Sequence, residues 1–221
     1  MFKGKKIKFF SSKTHLEIPR PFPTSKAMPE WYRKMPRTEE KIMTVKPCVP
    51  VLDAFTAGYV IPLPAAVAWD EASKSFLSQS KFDVNSDHFA SQTKDVPIPE
   101  EFDSQPHKWV NSWFIKTPPG YSTLFIHPLN RLDLPFYSFS GIVDTDKHPL
   151  IINFPFVWRK GFKGVVPAGT PIIQAIPFKR DDWSSEIVDT GKPYVYEKEY
   201  EAMLPPFAWY KRKAWTRKRY S

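Results

Sequence analysis

The sequence predicts a mainly β fold, an antiparallel barrel or sandwich, preceded by an extended N-terminal arm that carries one short helix. The 24 prolines among 221 residues argue against long helices, because proline fixes φ and lacks a backbone hydrogen-bond donor. Short β-branched and aromatic runs, each bounded by Pro, Gly or Asp, follow one another at regular spacing, which is typical of antiparallel strands. Hydrophobic residues make up 42% of the chain, which suits one domain with a packed core.

We assign residues 1–50 to the N-terminal arm, which is basic and rich in proline. One face of its short helix carries apolar residues at the spacing of helical turns, namely Met28, Trp31, Tyr32 and Met35. Pro29 suits the first turn of that helix, and Pro36 prevents its continuation. We interpret the helix as a plug that covers one end of the core, with a partner-binding helix as the alternative.

We assign residues 51–206 to the β domain. From Val51 onward the stretch "VLDAFTAGYVIPLP" is typical of strands, whereas the polar residues 83–108 predict a long loop or an insertion. The clearest strand signals follow in "WVNSWFIKTPPGYSTLFIHPLN", "YSFSGIVDT", "LIINFPFVW" and "VVPAGTPIIQAIPFKR". Their regular spacing predicts the barrel or sandwich, with the jelly roll as one of its forms.

Both ends of the chain are basic. Residues 1–13 contain five lysines and residues 207–221 contain six basic residues, with no acid in either segment. The net charge of +9 therefore comes from the ends, and the body between them is close to neutral. A basic tail either solubilises a chain or binds nucleic acid or an acidic protein surface. Aromatic rings between the charges favour a partner, and the candidate polyanion-binding residues are Lys211, Arg212, Lys213, Trp215, Arg217, Lys218 and Arg219.

The histidine, cysteine and glycine patterns predict no metal site and no cofactor. None of the five histidines pairs as HxH or HxD, and neither HExxH nor a cysteine cluster occurs. The only cysteine, Cys48, cannot form an intramolecular disulfide, which fits a reducing compartment or an assembled particle. The eight glycines form no phosphate-binding loop. No segment resembles a signal peptide or a membrane span, so we expect cytoplasmic synthesis and no membrane partner.

Four stretches, taken in order, resemble the motifs of the dUTPase and dCTP deaminase superfamily, which folds as a β-clip barrel. They are "TAGY" (56–59), "PPGYSTLFIHPLNR" (118–131), "GIVDTD" (141–146) and "PAGTPIIQAIPF" (167–178), and they cover about half of the chain. The resemblance implies a trimer whose pyrimidine pocket lies between subunits, with Mg²⁺ only if the protein hydrolyses nucleotides.

The same resemblance implies roles for four residues. Asp144 corresponds to the carboxylate that orients water or the deoxyribose, Arg131 and Gln174 lie near the phosphates, and Tyr59 forms the pocket wall. The chain departs from the family pattern directly after Tyr59, where Val60 replaces an acid. For Asp144 we favour the local interpretation, an Asx-turn residue in "DTD", over the catalytic one.

We favour a non-catalytic β-barrel that acts through its arms as a structural or binding protein. The stretch "PRPFPTSKAMPEWYRKMP" resembles an uncharacterised family of tailed phages and bacteria. That resemblance implies no established activity but favours a viral product, and with the barrel and its arms we expect a phage structural or assembly component associated with the virion. Extended Pro-rich and basic ends suit a homo-oligomer or larger assembly, whose arms contact neighbouring subunits or nucleic acid. The alternatives are a dUTPase-like nucleotide-binding or nucleotide-hydrolysing enzyme, and a nucleic-acid binder that acts alone.

Overall fold

The structure, a computed structural model, describes residues 4–11, 17–70, 72, 75–78, 85–87, 90–189 and 210–221. Within these ranges the chain is mainly β and its strands pair antiparallel, which confirms that part of the prediction. The sheets of the described residues do not close into a barrel. The predicted boundary between residues 206 and 207 lies outside the described residues.

The strands are short and spread along the chain. In chain order they are β1 (Lys8–Phe10), β2 (Phe22–Pro23), β3 (Thr38–Glu39), β4 (Ile42–Met43), β5 (Tyr59–Pro62), β6 (Val67–Asp70), β7 (Ser75–Leu77), β8 (Asn85–Asp87), β9 (His107–Trp109), β10 (Phe114–Lys116), β11 (Tyr121–Ile126), β12 (Phe136–Ser138), β13 (Gly141–Val143), β14 (Phe154–Trp158), β15 (Gly164–Val166) and β16 (Pro171–Lys179). The helices are α1 (Glu30–Lys34), α2 (Val49–Ala54) and α3 (Ala90–Thr93), with a 3-10 turn at Thr24–Ala27 and a π turn at Tyr210–Ala214. Among the described helices, none has the length and apolar character needed to cross a membrane.

Three larger sheets organise the fold. The five-stranded sheet has the order β13-β11-β16-β5-β2, the four-stranded sheet β12-β14-β9-β8, and the three-stranded sheet β15-β6-β7. The ribbons β1-β10 and β3-β4 are separate pairs. The central strand β16 has nine residues, and at about 3.4 Å per residue it is roughly 27 Å long. Its two ends therefore reach opposite ends of the five-stranded sheet.

An aromatic core joins the three larger sheets. Trp109 and Phe156 stack with ring centroids 3.7 Å apart, and Trp158 stacks on both Trp69 and Phe162. Each such ring buries a large apolar area, and a stacked or edge-on pair adds about 0.5–1.5 kcal/mol beyond that burial. The other buried members of the core are Ile61, Leu63, Val67, Ile115, Phe125, Leu134, Phe136, Phe154, Val166, Ile172, Ile173 and Ala175.

The N-terminal arm contributes strands to the β domain. β1 pairs with β10 and β2 pairs with β5, so both lie against strands from the middle of the chain. The predicted helix is confirmed as α1, with Pro29 at its N-cap and its last residue at Lys34. Tyr32 on this helix is buried, and its ring centroid lies 4.5 Å from that of Phe55. Whether this helix covers the core or binds a partner stays a prediction.

Two local predictions after residue 50 are wrong. The stretch predicted as strand from Val51 begins within α2, and its strand β5 starts only at Tyr59. Pro50 lies in the first turn of α2, where the missing N–H costs no helical hydrogen bond. The carbonyls at the end of α2 accept hydrogen bonds from Gln174 Nε2, so a distant side chain stabilises this helix. The residues 83–108, predicted as one long loop, contain β8, α3 and the start of β9.

Candidate functional site

Both ends of the chain fold back onto one edge of the β domain. Residues 4–7 at the N-terminal end and Arg219 and Tyr220 near the C-terminal end line one cleft of about 250 Å³. Residues near β5, β11 and β16 complete its lining, namely Tyr59, Thr117, Pro118, Tyr121 and Pro177. We call it the basic cleft, because Lys5, Lys6 and Arg219 are exposed around it.

Three tyrosine rings line the basic cleft. Tyr59 and Tyr220 meet edge to face with centroids 5.9 Å apart, and the Lys5 ammonium lies 5.9 Å from the centre of the Tyr121 ring. The Tyr59 hydroxyl donates to the Ser221 backbone oxygen at 3.2 Å, which joins the tail to β5. Partial burial raises the pKa of Tyr59 and of Tyr220, so both phenols stay neutral at pH 7.

One carboxylate on α2 anchors the C-terminal tail. Trp215 Nε1 donates to both oxygens of Asp53 at 3.1 and 3.0 Å, and Lys218 Nζ lies 2.6 Å from Asp53 Oδ2. The hydrogen bond to Asp53 raises the pKa of Lys218. A second cleft of about 440 Å³ lies at this contact and shares Arg219 and Tyr220 with the basic cleft. The tail is therefore held in place beside the cleft.

The seven predicted polyanion-binding residues fall into two groups. Trp215 and Lys218 contact Asp53, whereas the others are exposed cations, namely Lys211, Arg212, Lys213, Arg217 and Arg219. Sequence reasoning missed that N-terminal lysines and tyrosines from β5 and β11 join the tail at one cleft. The available signal was that both ends carry cations and no acid.

The basic cleft combines two chemistries that bind nucleic acid. Cations neutralise phosphates and release counterions, which makes the affinity depend strongly on salt. Tyrosine faces offer a sequence-tolerant stacking surface, worth about 1–3 kcal/mol per stacked base. An acidic protein surface would pair with the same cations, and apolar side chains beside its acids would cover the rings, so this partner stays the alternative.

Asp144 lies directly after β13 in a turn. Its backbone oxygen accepts hydrogen bonds from Lys147 N and His148 N, both at 2.8 Å. Its carboxylate accepts a hydrogen bond from Ser122 Oγ at 2.6 Å and lies 3.2 Å from Arg180 Nη1. The side chain is 52% exposed. Asp144 thus belongs both to the turn and to a polar cluster at the surface.

The neighbouring Asp146 lies at the centre of that cluster. Arg180 contacts both of its oxygens, at 2.9 and 2.5 Å, and Gly120 N donates to Oδ2 at 2.8 Å. The Asp146 side chain is only 5% exposed. The Arg180 hydrogen bond holds the pKa of Asp146 far below its usual range, against the opposing effect of desolvation. Sequence reasoning singled out Asp144 and missed Asp146, although "DTD" contains both.

Arg131 and Gln174 have partners within the chain. Arg131 Nε and Nη2 each donate to the Asp133 carboxylate at 2.8 Å. Burial opposes ionisation of Asp133, but the hydrogen bond from Arg131 outweighs it and lowers the pKa. The buried Gln174 accepts from Leu129 N at 2.9 Å and donates to carbonyls at the end of α2. Both side chains therefore stabilise local structure.

Within one chain, Asp144 and Gln174 lie near opposite ends of the β11–β16 pair. Asp144 contacts Ser122 near the start of β11, whereas Gln174 pairs with Ile126 at its end. Four residues at about 3.4 Å each separate these positions by roughly 14 Å. Within one chain the two side chains therefore do not meet at one point. The nucleotide roles of Asp144, Arg131, Gln174 and Tyr59 stay predictions.

Neither metal-site geometry nor comparison with known proteins identifies an activity. Over the described ranges, no group of three His, Cys, Asp or Glu side chains could hold a metal ion. No protein-family model, curated protein or solved structure matched the chain. The resemblances to the dUTPase-like superfamily and to the phage family therefore stay predictions, and the basic cleft is the candidate functional site.

Asp146→Asn should lower the melting temperature near pH 7 and flatten its decrease in acid. The pKa of Asp146 in the folded protein lies below the value of about 3.9 in an unfolded chain, so its contribution is present above about pH 4. That contribution is lost as the pH falls towards the folded pKa, so the variant and the wild type should converge in acid. Thermal melting at a series of pH values measures this. The exposed Asp182→Asn is the control, and a gap independent of pH would contradict the assignment.

Asp53→Ala should release the C-terminal tail. A hydrogen bond to a charged group contributes about 1.5–3 kcal/mol, so loss of the Trp215 contact should raise amide exchange in residues 210–221 roughly tenfold or more. Hydrogen exchange read by mass spectrometry measures the tail peptide directly. Glu30→Ala, which removes an exposed acid of α1, should leave that exchange unchanged. Equal exchange in the Asp53 variant and the wild type would show that the tail is held by other contacts.

Proposed function

We propose that this protein is a non-catalytic structural or binding protein that holds single-stranded nucleic acid in the basic cleft. One observation carries the proposal: cations from opposite ends of the 221-residue chain line the same tyrosine-rich cleft. Stacking requires the face of a base, which a duplex hides, so the tyrosine rings favour a single strand.

The charge around the cleft supports a strong dependence of affinity on salt. Lys5, Lys6 and Arg219 line it, Arg217 lines the second cleft beside it, and Lys211, Arg212 and Lys213 are exposed cations of the anchored tail. If about five of them contact phosphates of a single strand, the logarithm of the binding constant should fall with the logarithm of the salt concentration at a slope near −3.5. Stacking adds a part of the affinity that does not change with salt.

Fluorescence anisotropy with a labelled oligonucleotide of about 20 nucleotides, titrated over a range of salt concentrations, tests the proposal. Two probes separate the chemistries: an abasic strand of the same length and polyglutamate. The oligonucleotide should bind about fivefold or more tightly than the abasic strand for each base that stacks, and polyglutamate should bind more weakly than either. Binding of polyglutamate as tight as that of the oligonucleotide would instead favour an acidic protein partner.

The proposal includes an assembly role, in which the chain is a phage component that associates with the virion as a homo-oligomer. The resemblance of "PRPFPTSKAMPEWYRKMP" to a phage family and the strands that the arm adds to the β domain support it. In this role the sheets form a β-barrel of the β-clip or jelly-roll type, completed within the chain or by neighbouring subunits. For the alternative of a nucleic-acid binder that acts alone, deletion of residues 207–221 should abolish binding outright, and retained affinity would contradict that alternative.

A dUTPase-like nucleotide-binding or nucleotide-hydrolysing enzyme is the second candidate. The observation that favours it is the half-exposed Asp144 carboxylate at a strand end, beside Ser122 and Arg180. A thermal-shift panel of dUTP, dCTP and dUMP with Mg²⁺ tests it on the wild type and on Asp144→Ala. A shift of several degrees with one nucleotide, lost in the variant, would support the enzyme. No shift with any of them would exclude a nucleotide pocket of useful affinity.

A further inference from the structure

An exposed segment with apolar and acidic residues follows β16. In residues 181–189, Trp183 is 91% exposed, Ile187 99% and Val188 67%. Exposed apolar clusters on a protein surface mark interaction sites. The same segment contains four acids, namely Asp181, which pairs with Lys179, and Asp182, Glu186 and Asp189. We call residues 181–189 the acidic arm.

A groove runs along both sides of Val165 on the strand β15. Val165 lines two clefts, of about 440 and 950 Å³, and is itself 60% exposed. Most of the other lining residues are apolar, among them Pro64, Ala65, Ala68, Leu77, Leu134 and Phe162. We call this surface the β15 groove. Its size and apolar lining suit a few large side chains.

The charges of the β15 groove complement those of the acidic arm. Arg159 lines the groove, and Lys160 and Lys163 are exposed in the loop that leads into β15. The acids of its lining are fewer, namely Glu17 and Asp133, and the latter is paired with Arg131. Opposite charges beside an apolar contact orient a partner and increase its association rate. An apolar segment with acidic neighbours is therefore the occupant that fits this surface.

The acidic arm and the β15 groove lie at opposite ends of β16. The arm begins directly after Arg180, whose guanidinium pairs with Asp146. Pro171, at the other end of β16, lines the groove. The strand has nine residues and is roughly 27 Å long. The arm thus projects from one end of the molecule while the groove opens near the other, which favours a contact between two copies.

We propose that the acidic arm of one copy docks in the β15 groove of a second copy, with Trp183 and Ile187 in the apolar clefts beside Val165. The contact joins two different surfaces, so each new copy still offers one arm and one groove. Such heterologous contacts close into a ring or continue into a filament. This assembly does not depend on the proposed nucleic-acid binding, although it would align several basic clefts.

Sedimentation velocity of the full chain tests the docking at up to roughly 100 μM, where dissociation constants in the micromolar range are detected. The wild type should form species larger than a dimer. The arm variant Trp183→Ser/Ile187→Ser and the groove variant Val165→Glu should each weaken association at least about tenfold, because they remove apolar anchors or bury a charge. All three side chains are exposed in the single chain, so both variants should keep the wild-type melting temperature in dilute solution, where the wild type is monomeric.

An equimolar mixture of the two variants makes the test specific for arm and groove. The arm variant keeps an intact groove, and the groove variant keeps an intact arm. The arm of the groove variant can therefore dock in the groove of the arm variant, and no further contact is possible. The mixture should form dimers and no larger species. A monomeric wild type would overturn the proposal, as would variants that assemble like the wild type or a mixture that stays monomeric. None of these results bears on oligonucleotide binding, so the assembly proposal can fail without the nucleic-acid proposal, and the reverse.

Discussion

The variant with Lys5, Lys6, Arg217 and Arg219 all changed to Gln should bind single-stranded oligonucleotide several hundredfold more weakly than the wild type at about 0.1 M salt. Each lost phosphate contact reduces the salt slope by about 0.7, so four lost contacts reduce it by roughly 3. Over one decade of salt, from about 0.1 to 1 M, this difference corresponds to nearly three decades of affinity. Anisotropy titrations at several salt concentrations measure both the affinity and the slope.

A variant with the same change of net charge elsewhere is the matched control. Arg37, Lys41, Lys94 and Lys147 are exposed cations that line neither the basic cleft nor the second cleft beside it, which Arg217 lines, and all four are changed to Gln. If binding depends on the cleft, the control should retain most of the wild-type affinity and slope. Equal losses in the two variants would mean that net charge alone attracts the oligonucleotide, and the proposed site would be wrong.

Gly58→Ala should lower the free energy of unfolding by about 2–4 kcal/mol, because it combines a steric clash with an unfavourable backbone conformation. Gly58 has φ +69°, a region that alanine adopts only with strain. A Cβ at this position would lie 2.2 Å from the Ala175 carbonyl oxygen, so β5 and β16 would have to separate. Urea denaturation with linear extrapolation measures the loss.

Gly169→Ala separates the two causes of that loss. Gly169 has φ +84°, but a Cβ there would meet no atom within 4 Å. Only the backbone strain of about 1–2 kcal/mol applies to it. The Gly58 variant should therefore be clearly less stable than the Gly169 variant. Equal stability would show that the sheet adapts to the added methyl group, and the close β5–β16 approach would not be a constraint.

The elements predicted well are those that depend on neighbouring residues. The helix α1 followed from the spacing of Met28, Trp31, Tyr32 and Met35 and from the prolines at its ends, and it spans Glu30–Lys34. The antiparallel strands followed from β-branched runs bounded by turn residues. The helix α2 was missed because its stability comes partly from Gln174, a residue 120 positions away from Ala54.

The candidate site was predicted only in part, because its residues come from distant parts of the chain. The basic tail was identified from charge and aromatic content, but its anchor Asp53 lies 162 positions from Trp215. The role of Tyr121 beside Lys5 depends on where both termini dock. In the same way, the aspartate with the shifted pKa is Asp146, since Arg180 reaches it from the end of β16.

The sequence by itself determined the mainly β class, the short N-terminal helix and the two basic ends. These properties depend on side-chain periodicity, on proline and on the count of charges, all of which are local or additive. Tertiary structure alone decided that the ends meet at one cleft and that Gln174 supports α2. It also decided that the acidic arm and the β15 groove lie at opposite ends of β16. Such arrangements depend on which strands pair and in which register, and those pairings are chosen by burial of the whole core.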